Sequence, residues 1–105
     1  MGQGRNDLAF ADYNKAIELD PGYVYTYNAR GSAYIDKGEY DRAIADFNKG
    51  IELNPKFALT YVDHGLAYEK KGDNARAIAD YNKAIELDPD LQSAKDGLKR
   101  LGARR

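Results

Sequence analysis

Apolar residues along this chain recur in two alternating helical patterns. Between about Val24 and Lys37, Tyr27, Gly31 and Tyr34 stand at i, i+4 and i+7 and share one helical face. Gly38 follows, a residue type that readily takes the left-handed conformation closing a helix. From about Tyr40 to Leu53 a broader stripe carries Tyr40, Ala43, Ile44, Phe47, Gly50 and Ile51, wide enough to meet neighbours on two sides. Asn54-Pro55 ends that stripe, because proline restricts the residue before it and cannot continue the hydrogen-bond ladder. Each segment of about 14 residues is roughly 21 Å long. Breaks of a few residues make successive helices lie antiparallel.

The whole pattern then repeats. Residues 77–89 read AIADYNKAIELDP; residues 9–21 differ from them at one position and residues 43–55 at three. The starting alanines, Ala9, Ala43 and Ala77, are equally spaced, and Pro21, Pro55 and Pro89 fall in the same register. So do Gly31 and Gly65, Tyr34 and Tyr68, and the aromatic column Tyr13, Phe47 and Tyr81. A period of roughly 34 residues is the length of one helical hairpin, which cannot bury its apolar side alone and must stack on its neighbours. The expected fold is all-α, a single array of antiparallel helix pairs over residues 1–105 with about six helices. Gly31 and Gly65, one turn from Tyr27 and Tyr61, leave hollows for a facing helix. Each such glycine costs about 0.5–1 kcal/mol relative to alanine, so close approach outweighs local propensity there.

These columns carry a family resemblance. Over residues 4–91 the chain resembles the tetratricopeptide repeat family, whose first helix bears a large residue, then glycine and tyrosine. Here those are Tyr27, Gly31 and Tyr34, then Tyr61, Gly65 and Tyr68. The family's second helix bears alanine, an aromatic, a small residue and a closing proline, matched by Ala43, Phe47, Gly50 and Pro55 and by their counterparts one period away. Tyr replaces the usual Trp, and Arg30 and His64 stand where Leu is common; both are expected to pack an apolar body and reach water with the polar end. The resemblance implies a superhelix cut in an unusual register. A lone second helix (6–19) precedes two full repeats (24–57 and 58–91), and an amphipathic capping helix (91–103) closes the chain.

The resemblance also implies a concave groove lined by the first helices, binding a peptide or helical segment of a partner protein. The groove candidates are Tyr25, Asn28, Ser32, Ile35 and Asp36 on one helix, and Leu59, Val62, Asp63, Leu66, Glu69 and Lys70 on the next. Some family members clamp a C-terminal carboxylate with lysines, asparagines and arginine. The corresponding places here hold Asn28, Ser32, Asp63, Ser93 and Gly97, an acid and no cation, so an apolar or amphipathic segment is the expected ligand. At the other end, Leu8, Phe10, Tyr13 and Ile17 lie on a helix without its usual hairpin partner, which makes a homodimer through that face a second expectation. Two other classes remain open: a self-assembling structural array, natural or near-consensus engineered, and an appendage of a larger enzyme.

Composition narrows the chemistry. Sixteen Lys and Arg balance seventeen Asp and Glu, giving a formal charge of −1 and no field favouring nucleic acid or an anionic membrane. Five of the bases fall within residues 92–105, read as a solvated basic tail. The chain has no cysteine, which removes disulfides and thiolate chemistry and fits an intracellular setting. No apolar run approaches the roughly 20 residues of a membrane span. His64 is the sole histidine, expected to be structural. Asp12, Asp46 and Asp80 each precede a lysine by three residues (Lys15, Lys49, Lys83) and are expected to pair with it on a solvated outer face. No phosphate-binding loop or metal-ligand spacing is present, so no cofactor and no catalytic activity are expected.

Overall fold

The computed structural model describes the backbone of residues 2–102 and the side chains of residues 8–102. Six helices follow one another: α1 (Gly2–Leu19), α2 (Val24–Asp36), α3 (Tyr40–Leu53), α4 (Ala58–Lys71), α5 (Asn74–Leu87) and α6 (Gln92–Arg100). There is no strand among the described residues. Helices α2 and α3 form one hairpin and α4 and α5 the next, with α3 lying against α4. α1 packs on α2, and α6 on α5 and α4. α1 begins before the expected Asn6, and α6 ends at Arg100; Ala103 lies outside the described residues.

The two kinds of corner have different chemistry. After α2 and α4, Gly38 and Gly72 take φ of 81° and 97°, a region that a Cβ disfavours. The amides that follow turn back on the helix, Glu39 N–H to Tyr34 O and Asp73 N–H to Tyr68 O, each at 2.9 Å. The proline corners use a side chain instead. Asp20, Asn54 and Asp88 each accept the amide two residues on, at 3.3, 3.2 and 3.3 Å, which explains why only Asp or Asn precedes these prolines. Tyr27 and Tyr61 then donate their hydroxyls to the carbonyls of Pro21 and Pro55 at 3.0 and 2.9 Å. The phenol thus pins the first two of these corners to the helix after each; the third has Lys95 in that place.

The core repeats with the chain. One cluster joins Ile35, Ala43, Ile44, Phe47 and Ala67; the next joins Tyr61, Val62, Ala77, Tyr81, Ala84, Ala94 and Leu98, and Tyr68 touches both. Phe47 and Tyr81 are wholly buried. A Cβ on Gly31 would stand 2.6 Å from the Phe47 ring, and one on Gly97 would stand 2.5 Å from that of Tyr81. Those glycines are required by contact, not by backbone conformation.

The structure overturns the expected acid–lysine pairing at all three places, and the solvated setting at Asp46 and Asp80, while Asp12 stays exposed. Asp46 is only 5 % exposed and faces Arg30 of the antiparallel helix α2. Asp80 likewise faces His64, with Nδ1 and Oδ2 2.6 Å apart. The lysines reach forward to Glu18, Glu52 and Glu86 instead. His64 does not end in water, while Arg30 keeps part of its guanidinium exposed and fixes the rest by hydrogen bonds. Arg30 also donates to Asn14 Oδ1 at 2.8 Å, and the second ring nitrogen of His64 lies 2.8 Å from Asn48 Oδ1. Each therefore bridges an asparagine on the preceding second helix and an aspartate on its own hairpin partner. A polar ladder runs through the stack, Asn14–Arg30–Asp46 and then Asn48–His64–Asp80. The third rung would start at Asn82, but the residue in the column of Arg30 and His64 is now Leu98, and Asn82 Oδ1 is buried without a hydrogen-bond partner among the described residues.

Candidate functional site

Helices α4 and α6, with Tyr81 of α5, line an open cleft with a volume of about 580 Å³, the size of a typical ligand pocket. Five expected groove residues meet there: Val62, Asp63, Leu66, Glu69 and Lys70. The cleft adds Tyr81 from α5 and Ser93, Asp96 and Arg100 from α6, none of them among the groove candidates. The signal for the α6 residues lies in the period, since Ser93, Asp96 and Arg100 stand one repeat after Leu59, Val62 and Leu66. Tyr81 is recognisable in sequence only as core; its ring is buried while its hydroxyl reaches the cleft.

One wall is held by an ion pair. Arg100 donates through Nε and Nη2 to the two oxygens of Glu69 at 3.0 and 2.9 Å, and the Tyr81 hydroxyl donates to the same carboxylate at 2.7 Å. These bonds, those from Arg100 foremost, hold the Glu69 carboxyl below its ordinary range. Burial, and then the bond to Glu69, pushes the Tyr81 phenol well up. Arg100 is therefore a fixed part of the fold, not the freely solvated tail expected of residues 92–105.

Asp63 has no such support. It is half-buried, and no hydrogen bond or ion pair engages its carboxylate among the described residues. Burial pushes the carboxyl up to about 6.

The α2 half of the expected groove is less open. Asn28 and Ile35 are buried: the Asn28 amide donates to Thr60 Oγ1 at 2.8 Å, and Ile35 belongs to the core. Asn28 loses its surface to α4 and Ile35 to α3 and α4, which together cover the side of α2 that pitch alone left facing outward. Val62 too is only 8 % exposed, so it contributes an edge and not a floor. Ser32 is half-buried and Asp36 exposed. Tyr25 is exposed and stacks edge-on between Tyr23 and Phe57, each ring centroid 5.2 Å away, while Leu59, its counterpart one repeat on, is also exposed.

On α1, Leu8 is 69 % exposed, and Tyr13 and Ile17 are half-buried. Phe10 is partly covered by Tyr34, centroids 4.7 Å apart, with the Lys37 ammonium 5.0 Å from its ring centre. Among the described residues no group of three or more His, Cys, Asp or Glu is placed to hold a metal ion, and no helix is long and apolar enough to cross a membrane.

Paired antiparallel helices, glycine-seated aromatics and proline corners in a fixed period define a helical-repeat protein. The chain belongs to the tetratricopeptide repeat family: models of the repeat match residues 12–45, 31–72 and 58–91. No curated protein sequence matches it. Among solved structures, the first TPR of Spaghetti (RPAP3) bound to the HSP90 peptide SRMEEVD is similar at 28 % identity with a TM-score of 0.89, covering 95 % of this chain and 79 % of that one. The Arabidopsis OM64 TPR domain is similar at 27 % identity and a TM-score of 0.89, covering 94 % and 82 %. YrrB, a TPR protein with an unusual peptide-binding site, is similar at 25 % identity and a TM-score of 0.85, covering 91 % of this chain and 50 % of that one.

Proposed function

We propose that this chain is a noncatalytic protein-interaction module that seats a peptide or helical segment of a partner in the groove formed by α2, α4 and α6. The observation that carries the reading is the cleft of about 580 Å³ on the inner side of α4, where Leu66 offers apolar surface among polar groups able to orient a backbone. The similar RPAP3 domain holds a peptide, which supports the same class of ligand here. The places of a carboxylate clamp hold no cation, so a C-terminal acidic peptide is not the preferred occupant. The test uses a panel of amphipathic peptides and the double variant Leu59→Asp, Leu66→Asp. Val62 is left alone because its burial would turn a charge there into an unfolding mutation. Binding lost in the double variant, with the helical content of the wild type, upholds the reading; undiminished binding sinks it.

A second reading, self-association through α1, rests on a comparison within the chain. Ala43, Phe47, Ala77 and Tyr81 are fully buried, whereas Ala9 and Tyr13, in the same columns of α1, are only half-buried. A second copy covering that face would complete the pattern. Light scattering that gives 11.7 kDa at every concentration would remove this reading.

A further inference from the structure

Asp63 occupies a position for which packing alone calls for something else. One period either side, the same column holds Ala29 and Gly97. At Gly97 the ring of Tyr81, on the helix before it, lies where a side chain would begin; at Asp63 a side chain is accommodated and lines the cleft. A carboxylate at that site is partly shielded from water at the wall of the cleft, and no ion pair or hydrogen bond among the described residues offsets the cost. Of the acids lining the cleft, Glu69 is neutralised by Arg100, and Asp96 accepts the amide of Gln92 at 2.9 Å. Asp63 is left without a partner of either kind among the described residues.

We infer that the cleft between α4 and α6 takes a cationic side chain, lysine or arginine, of the bound segment, seated on Asp63 with Ser93 and Asp96 beside it. This rests on the groove reading above and adds the charge of the ligand. Complementarity is the argument: a desolvated carboxylate with free acceptor capacity is a receptor for N–H donors, and a charge-assisted bond in such a place is stronger than one at an open surface. A carboxylate ligand would meet like charge and be rejected. The cations already lining the cleft do not fill the role. Arg100 is committed to Glu69, Lys70 is exposed, and the shift of Asp63 comes from burial alone, with no neighbouring charge on any packed helix offsetting it. His64, the next residue, faces away into Asp80 of α5 and Asn48 of α3, and the Tyr81 hydroxyl is held by Glu69.

The probes are three labelled peptides of one short amphipathic alanine–leucine sequence, differing only in a central Arg, Gln or Glu. They are titrated with the intact chain at pH 7.5 and 5.0. The Arg peptide is expected to bind on the order of tenfold more tightly than the Gln peptide at pH 7.5, and the Glu peptide most weakly. The advantage should shrink at pH 5.0, where Asp63 is protonated, and disappear in Asp63→Asn, a variant expected to melt no lower than the wild type. An Arg advantage that survives Asp63→Asn, or equal binding of the three peptides, overturns the cationic seat and leaves the groove standing. If none binds, and the amide resonances of α4 and α6 stay unmoved, the seat and the groove fall together.

Discussion

The guanidinium of Arg30 grips the carboxylate of Asp46 with two parallel bonds, Nε to Oδ2 at 2.8 Å and Nη2 to Oδ1 at 2.6 Å. Asp46 raises the Arg30 pKa, the hydrogen bond being the main cause. Such a fork fixes the roll of α2 against α3 as well as their distance. Because Asp46 is almost wholly buried, its counter-charge cannot be supplied by water. Arg30→Leu, which restores the residue more common in the family, is expected to destabilise the chain by about 2–4 kcal/mol by stranding the acid. The double change Arg30→Leu, Asp46→Leu should recover most of that loss. Urea unfolding of the single and double variants measures both.

The glycine seats are predicted to be intolerant in a graded way. Gly31→Ala places a methyl 2.6 Å from the ring of Phe47, which is itself fully enclosed and has little room to retreat. A loss of about 1–3 kcal/mol is expected, larger for Gly31→Val. Gly22→Ala, whose nearest neighbour would be 3.9 Å away, should cost far less. Thermal melts of the three variants would show the order.

Asp63 gives the stability curve a slope. Its folded pKa of about 6 exceeds the ordinary 3.8, so between those values the folded chain keeps a proton that the unfolded chain has released. Its contribution to stability is greatest below pH 3.8 and falls as the pH rises through about 6. Asp63→Asn should therefore raise stability at pH 7 by about 1–3 kcal/mol and flatten the profile between pH 4 and 6. Chemical denaturation of both proteins across that range is the check.

Glu69 works in the opposite sense. Its folded pKa lies below the unfolded 4.5, so its contribution is present above pH 4.5 and lost as the pH drops through the folded value. Replacing Arg100 by Gln removes the main cause of the depression and should shift acid unfolding of α6 to higher pH. Because Arg100 is half-exposed, the loss at neutral pH should be under about 1 kcal/mol. Amide exchange in α6 against pH reports the shift.

How much of this is legible in the sequence depends on whether a residue's partner is local. The helix ends are readable because Gly38, Gly72 and the prolines impose their corners through covalent geometry. The ladder is not. Asp46 sits three residues before Lys49, which invites a local pairing, yet its true partner, Arg30, stands across the hairpin on the preceding helix. The groove is half readable. Pitch puts Asn28, Ile35 and Val62 on an inner face, but depth depends on how closely the neighbouring helices approach. Arg100 belongs by sequence to a basic tail, yet it is tied to Glu69 across the cleft. Asp63 stands out in the sequence as an acid among clamp places that hold no cation and in a column shared with Ala29 and Gly97; its partial burial exists only once the surrounding helices are in place.

The unanswered oxygen of Asn82 has a consequence for grafting. Each rung of the ladder reaches over nearly one full period, so a splice that adds or removes whole repeats leaves Arg30 and His64 each facing its own aspartate, while any other increment leaves both unmatched. A lengthened version of this chain would stack its next hairpin on Leu98 as an apolar rung; exchanging Leu98 for an Arg or His, with an aspartate facing it from the helix that follows, would extend the polar ladder to Asn82. Growth of such a stack follows the register of its polar pairs as well as its shape.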